Sequence, residues 1–271
     1  MELTLAVFAV VVVISLLCEY VDASIGMGYG TTLTPVLLII GFLPLEVVPA
    51  VLLGQLAGGL VGGFVHHKVG NVSLDFRQDR AVKKRLHAFG YIPRSVDSKV
   101  IMVLAVCGVV GVLTAIFFAL NIPTLALKTY IGAMVVAIGV IILVRRNRES
   151  KLSWKTLVGI GLISSFNKGA SGGGYGPLIT GGQLVSGRET RSSIGSTTIA
   201  EALVCIVGFS GYLVIKGDIY WTLAAATSIG SIVAAPFAAI TVSKLSPSKL
   251  KVVIGVVTCI LGVFTLVKTF I

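Results

Sequence analysis

Asp22-Ala-Ser-Ile-Gly-Met-Gly-Tyr-Gly30 and Lys168-Gly-Ala-Ser-Gly-Gly-Gly-Tyr-Gly176 are two copies of one pattern, each set inside a long apolar run. A shift of 146 positions lays Gly26 on Gly172, Gly28 on Gly174, Tyr29 on Tyr175 and Gly30 on Gly176. The same shift pairs Thr34 with Thr180, Leu38 with Leu184, Gly41 with Gly187 and Gly62 with Gly208. Glycine-dense interruptions at corresponding places in two halves are the sequence sign of a repeat-built secondary transporter, and they mark where its ligand binds.

The 271 residues are 55% hydrophobic and 12% charged, with mean hydropathy +1.00. Soluble domains carry roughly 25% charged residues, so most of this chain belongs in lipid. A net charge of +11 would suit nucleic acid, but its distribution argues otherwise. Of 22 Lys and Arg, eight lie in 68–99 and five in 145–155, both between apolar runs. Cytoplasmic loops collect such residues for topological reasons, so the expected partner is a lipid bilayer and not nucleic acid. Cys18, Cys107, Cys205 and Cys259 have no metal-ligand or redox spacing. No metal or other cofactor is implied. The apolar start lacks a basic leader and a small-residue cleavage site, and reads as a retained first span.

Ten apolar segments can be drawn, near 3–24, 27–41, 46–66, 100–120, 124–145, 153–168, 173–186, 192–215, 219–241 and 249–270. The second and seventh are too short for a full crossing, which takes ~20 residues. They read as tilted spans, half-helices or arms of re-entrant hairpins. Placing 68–99 and 145–155 inside puts 187–191 and 243–251 inside as well, and both termini outside. Five segments per half, an odd number, force opposite orientations. The expected fold is an all-α polytopic membrane protein of the inner (plasma) membrane, a single domain over 1–271. Two inverted repeats, 1–145 and 150–271, put their broken helices at the pseudo-symmetric centre. Repeat one carries a basic insert, 68–99, with Arg80-Ala-Val-Lys-Lys-Arg85 and Tyr91-Ile-Pro93. It reads either as a solvated topogenic loop or as an amphipathic segment on the inner leaflet.

Unwinding a helix inside a membrane frees backbone groups that cost several kcal/mol each unless a partner appears. The half-helix that follows presents a partial positive charge at its N-terminal end, which suits an anion. Gly28, Tyr29 and Gly30, with Gly172, Gly173, Gly174 and Tyr175, are therefore candidate substrate-binding residues. Gly58, Gly59, Gly62 and Gly63 sit at helix-packing spacing instead. Ionisable residues within apolar runs are functional suspects by default. Here they are Glu19, Asp22, Lys168 and Glu201. Asp22 and Lys168 are repeat equivalents of opposite sign, and Gln55 is the equivalent of Glu201. Lys168 is the candidate to neutralise an anion, with Asp22 or Glu19 carrying a proton or holding Lys168. Glu19, Asp22 and Glu201 are the candidates for ion coupling. An Asp22–Lys168 structural pair is the alternative. Ser196, Thr197, Thr198, Asn167 and Gln183 are further donors, although membrane hydroxyls often bond back to their own helix. His66 and His67 are expected at the cytoplasmic interface. No His-Glu-x-x-His, Gly-x-Ser-x-Gly or P-loop is present, so an enzyme is not expected.

Gly172-Gly-Gly-Tyr-Gly-Pro177, Gly195-Ser-Thr-Thr198 and Gly217-Asp-Ile-Tyr-Trp221 resemble the motifs of the TauE/SafE sulfite exporter family. The likeness extends over essentially the whole chain and its two-repeat layout. Repeat one departs from the pattern, with Gly26-Met-Gly-Tyr-Gly30 in place of a glycine run and Pro49-Ala-Val51 in place of the Gly-Thr-Ser triplet. The resemblance implies proton- or cation-coupled transport of a small sulfur-containing anion such as sulfite, sulfoacetate or another organosulfonate. A passive anion channel and a non-transporting assembly partner remain alternatives, and a homodimer is left open. Lys168→Ala is expected to abolish anion flux and leave folding intact.

Overall fold

The computed structural model describes residues 4–26, 28–78, 91–145, 153–185, 188–242 and 247–271. The Arg80–Arg85 stretch, on which the amphipathic reading of the insert rests, lies outside them. Ten helices follow in order among the described residues. They are α1 (Leu5–Ile25), α2 (Tyr29–Ile40), α3 (Pro44–Lys68), α4 (Val96–Asn121) and α5 (Thr124–Arg145), then α6 (Trp154–Ser171), α7 (Tyr175–Val185), α8 (Thr190–Lys216), α9 (Trp221–Thr241) and α10 (Pro247–Phe270). Six of them are long and apolar enough to cross a membrane over Leu5–Ile25, Pro44–Lys68, Val96–Asn121, Thr124–Ile141, Thr190–Lys216 and Trp221–Thr241. The all-α polytopic fold is as expected; inside the insert, a short β1 (Phe76–Gln78) pairs antiparallel with β2 (Tyr91–Pro93), Arg77 opposite Ile92.

Local signals set the helix ends. The Thr4 hydroxyl caps α1, and the Ser95 hydroxyl caps α4 by accepting from the Ser98 N–H at 3.0 Å. Pro44 starts α3, and the Glu46 carboxylate accepts from the Leu43 N–H at 2.8 Å. Gly26 and Gly172 close α1 and α6 in the left-handed conformation, with φ of 74° and 73°. Only glycine enters that region without strain. Both helices outlast the sequence expectation, so Asp22 and Lys168 lie within their last turns.

At 12 and 11 residues, α2 and α7 are about 18 and 17 Å long, well short of a ~30 Å hydrocarbon core. Each doubles back along the helix before it. After α2, the Phe42 ring meets Tyr220 just before α9, edge to face with centroids 6.0 Å apart. Arg188, after α7, instead reaches Asp97 at the start of α4. The α1–α2 and α6–α7 hairpins thus open toward opposite ends of the bundle. Their tips meet in the middle.

Packing follows the same exchange. Helix α1 packs on α9 as α6 packs on α4, α3 packs on α9 as α8 packs on α4, and α3 with α8 and α5 with α10 pair across the centre. Swapping α1–α5 for α6–α10 turns each of these contacts into another. Glycines let the axes come close. Gly59 faces Ala202 and Thr198, Gly63 faces Ile199, and Gly262 faces Val136. Val13, Leu17, Phe117, Val214 and Phe237 point outward, exposed to lipid, while Glu19 and Lys168 are wholly enclosed.

The tip contact is the tightest in the molecule. A methyl group on Gly30 would fall 1.7 Å from the Gly172 carbonyl oxygen, and one on Gly173 would fall 2.7 Å from the Gly30 carbonyl carbon. Gly30→Ala is therefore expected to destabilise the protein by at least the 1–3 kcal/mol typical of overpacking, roughly. A detergent melting curve identical to wild type would show that the tips do not touch.

Candidate functional site

Two threonines staple the breaks together. The Thr180 hydroxyl of α7 donates to the Gly26 carbonyl at 2.7 Å, and its repeat equivalent Thr34, on α2, donates to the Ser171 carbonyl at 2.8 Å. The Thr31 hydroxyl accepts from the Gly174 N–H at 3.1 Å, and the Ser171 hydroxyl accepts from the Gly173 N–H at 3.0 Å. Backbone groups freed by the unwinding are thus met by short hydroxyl side chains, as burial requires.

Beside the tips lie two polar bonds that are repeat equivalents of each other. The Gln55 Nε2 donates to Asp22 Oδ2 at 2.9 Å. The Lys168 Nζ donates to Glu201 Oε1 at 2.7 Å, an ion pair with side chains 0% and 4% exposed. Of the two roles open to Asp22 and Glu19 from the sequence, proton carrier or holder of Lys168, the second is taken by Glu201, because α8 carries it at the same height as α3 carries Gln55. Asp22 faces its own half: Oδ1 accepts from the Tyr29 N–H at 3.2 Å and so caps the start of α2. Lys168, the repeat equivalent of Asp22, bonds Glu201 instead, and among the described residues no acidic side chain bonds the first turn of α7.

The remaining candidates divide. Asn167, 9% exposed, accepts at Oδ1 from the Tyr130 hydroxyl at 2.6 Å. Tyr29 and Tyr175 are both fully enclosed; Tyr29 reaches Ser15 at 3.0 Å, and the Tyr175 hydroxyl has no hydrogen-bond partner. The Ser196–Thr198 hydroxyls do not converge on Lys168. Thr197 and Thr198 donate to the Ser193 and Ile194 carbonyls at 2.8 and 3.1 Å, while Ser196 donates to Gln183 Oε1 at 3.0 Å. Gln183 Nε2 in turn donates to Thr197 Oγ1 at 2.9 Å.

Gln183 belongs to a network at the open end of the α6–α7 hairpin that the sequence reading missed. Arg188 donates to Gln183 and to Asp97, and to Ser192 at 2.9 Å; Asp97 also accepts from the Ser73 N–H at 2.8 Å. Burial pushes the Arg188 guanidinium down from its ordinary value, and the Asp97 carboxylate opposes this. The network ties α7, α8, α4 and the insert together and closes that end. His66 is buried, not interfacial. Its Nδ1 accepts from the Asn71 amide at 3.0 Å, so Nε2 carries the proton and donates to the Ala23 carbonyl at 3.2 Å. Four free cysteines and no cluster of metal-binding side chains are found among the described residues.

Opposed hairpins with an enclosed ion pair at their meeting point, inside a bundle of membrane-spanning helices, define a membrane transporter of the repeat-built class. The chain belongs to the sulfite exporter TauE/SafE family, whose profile matches residues 86–265. It is also similar to a Bacillus subtilis (strain 168) protein named "Probable membrane transporter protein YtnM", with 27% identity across 95% of this chain and 82% of the relative. No solved structure matches the chain. Residues 1–85, which hold the first break, lie outside the family match and inside most of the alignment with the Bacillus relative.

Removing one member of an enclosed ion pair leaves the other uncompensated, at about 3–5 kcal/mol. Lys168→Ala should therefore lower stability as well as flux, and a loss of flux alone is a poor test. The double variant Lys168→Met with Glu201→Leu should recover most of the stability that either single change loses. A melting-temperature cycle in which the two losses simply add would show that the pair does not form.

Proposed function

We propose that the protein moves a small sulfur-containing anion, such as sulfite, sulfoacetate or another organosulfonate, by alternating access coupled to a proton or another cation. The observation that supports this most is the unequal service of two equivalent helix starts. Asp22, an anion of the chain itself, caps α2. At the equivalent sequence position in the other half stands Lys168, a cation, bonded to Glu201 and not to α7. The group that completes the second half is an external anion. It would take the α7 N-terminal end and the Lys168 ammonium together, as phosphate takes a helix N-terminus and a lysine in soluble proteins.

In the closed arrangement Glu201 occupies Lys168. An arriving anion competes for the same ammonium, and protonation of Glu201 releases Lys168 to it. Binding and charge compensation are then one event, which is the requirement for coupling. The hairpins offer the two routes of access, α1–α2 from outside and α6–α7 from inside. The Arg188–Asp97 network opens when the inner route is in use. This reading draws its substrate class from the family the chain belongs to and its mechanism from the geometry of the tips.

A thermal-shift screen of the purified protein against sulfite, thiosulfate, sulfoacetate, taurine and sulfate tests the substrate class. A ligand present at 100 times its dissociation constant adds ~2.7 kcal/mol to the folded state. Stabilisation by a sulfonate or sulfite, and not by zwitterionic taurine, is the expected result. In proteoliposomes, accumulation against a concentration gradient is expected and would exclude a passive channel. Equilibration without accumulation would overturn the coupled mechanism.

A further inference from the structure

The enclosed polar groups do not all belong to the Lys168–Glu201 centre. A second cluster lies deeper in the first half, between α1, α2, α3 and α9. Glu19 is 0% exposed, and among the described residues neither carboxyl oxygen has a hydrogen-bond partner. Beside it, short of hydrogen-bond geometry, stands the Ser231 hydroxyl, which is also enclosed and also unpartnered. Both rest on Gly58, where a methyl group would fall 1.9 Å from Ser231 Oγ and 2.9 Å from Glu19 Oε1. Ser15, one turn before Glu19 on α1, meets the Tyr29 hydroxyl at 3.0 Å, and both reach the Thr227 carbonyl, at 2.6 and 3.3 Å. Gly54 leaves room for that tyrosine hydroxyl, which lies 2.3 Å from where its methyl would sit.

The other half of the molecule is an internal control. The repeat equivalents of Ser15, Glu19 and Gly58 are Gly161, Ser165 and Val204. Where Gly58 faces Ser231, Val204 faces Gly108. The same helix crossing is built there with no carboxyl, only the Ser165 hydroxyl at the Glu19-equivalent position. The fold does not need an acid at this crossing. A carboxyl kept at such a position, without a hydrogen-bond partner among the described residues, has a role other than packing.

We propose that Glu19, with Ser231, Ser15 and Tyr29 around it, is a second proton-carrying site of the transporter, distinct from the Lys168–Glu201 anion site. The inference rests on the transport reading above and names its coupling ion. An enclosed carboxylate without a partner is costly enough that the group takes up a proton instead. The neutral acid can donate its O–H to Ser231 after a small rotation. On release, the O–H bond of the acid breaks, the electron pair stays on the carboxylate, and the proton passes to water on the side then open. The titratable and charged groups that face Glu19 are Cys18 and Asp22 on its own helix, Tyr29 on α2, Lys168 on α6, and Glu201 and Cys205 on α8. On α3 and α9 it lies against Gly58 and Ser231.

Tyr29 supplies the mechanical link. Its hydroxyl lies in the Glu19 cluster, and its N–H is held by Asp22 at the hairpin tip. A change of charge at Glu19 is therefore felt at the first residue of α2, next to the break that lines the anion site.

The test uses Glu19→Gln, which keeps the shape of the neutral acid and cannot ionise. Its infrared spectrum at neutral pH is expected to lack a protonated-carboxyl band that the wild-type protein shows. In sulfite-loaded proteoliposomes, accumulation driven by a pH gradient should be lost relative to sulfite-for-sulfite exchange. Ser231→Ala should shift the infrared band without removing it. An unchanged band in Glu19→Gln, a Glu19→Gln protein that fails to fold, or pH-driven accumulation equal to wild type would each overturn the proposal. A wild-type protein that moves no sulfite would instead refute the sulfite reading, and the infrared comparison would still decide the state of Glu19.

Discussion

Two peptide backbones touch at the centre of the molecule, Gly30 of one hairpin against Gly172 and Gly173 of the other. The rest of the arrangement follows from that approach. No side chain fits at the contact, so the glycines cluster there. Close backbone packing in a dry interior leaves no water to satisfy the amides and carbonyls freed by unwinding. Thr31, Thr34, Ser171 and Thr180 must do so, and each sits one or two turns from a break. Holding two helix ends tip to tip also fixes the height of Asp22 and Lys168, the last charged residues before each break. Their partners then have to come from α3 and α8, which cross at the same depth.

The two halves satisfy that geometry with different chemistry. Asp22 bonds Gln55 and Lys168 bonds Glu201, and each bond spans 33 residues of sequence. One half is thus an acid held by a neutral amide, and the other a base held by an acid. An inverted repeat gives the two halves equal scaffolds, so a difference between equivalent positions is not explained by the scaffold. This is why the comparison of Asp22 with Lys168, and of Glu19 with Ser165, says more than the burial of any one residue.

The repeat, the short helices and their glycine breaks were legible in the sequence, because both depend on local composition and on a constant shift. The opposite orientation of the halves followed from the odd number of segments in each. The partner of Lys168 was legible too, had the shift been applied to pairs and not only to single residues: once Asp22 is set against Gln55, Lys168 falls to Glu201. Other features were not accessible this way. The Ser196–Thr198 hydroxyls turn back to carbonyls of their own helix or to Gln183, a choice made by side-chain rotation and not by residue type. His66 sits near a helix end and looks interfacial, but the Asn71 loop folds over it and seals it. Arg188 and Asp97 lie 91 residues apart, in loop-edge positions with no counterpart in the other half, so no periodicity announces them.

The enclosed centre holds three carboxyl groups, Glu19, Asp22 and Glu201, and one ammonium, Lys168. With all four ionised the formal balance is negative, which is the wrong sign for an anion. Ionised groups without compensation cost several kcal/mol each in such a place. A dry centre of this composition approaches neutrality only by taking up protons. A proton on Glu201 removes the competitor for Lys168, and a proton on any of the three lowers the repulsion that an incoming anion would meet. On the proposed mechanism anion affinity and proton affinity would rise together, as linkage requires of two ligands that favour the same state. The acid-rich lining, which seems at first to argue against an anion, is what would make its entry depend on protons.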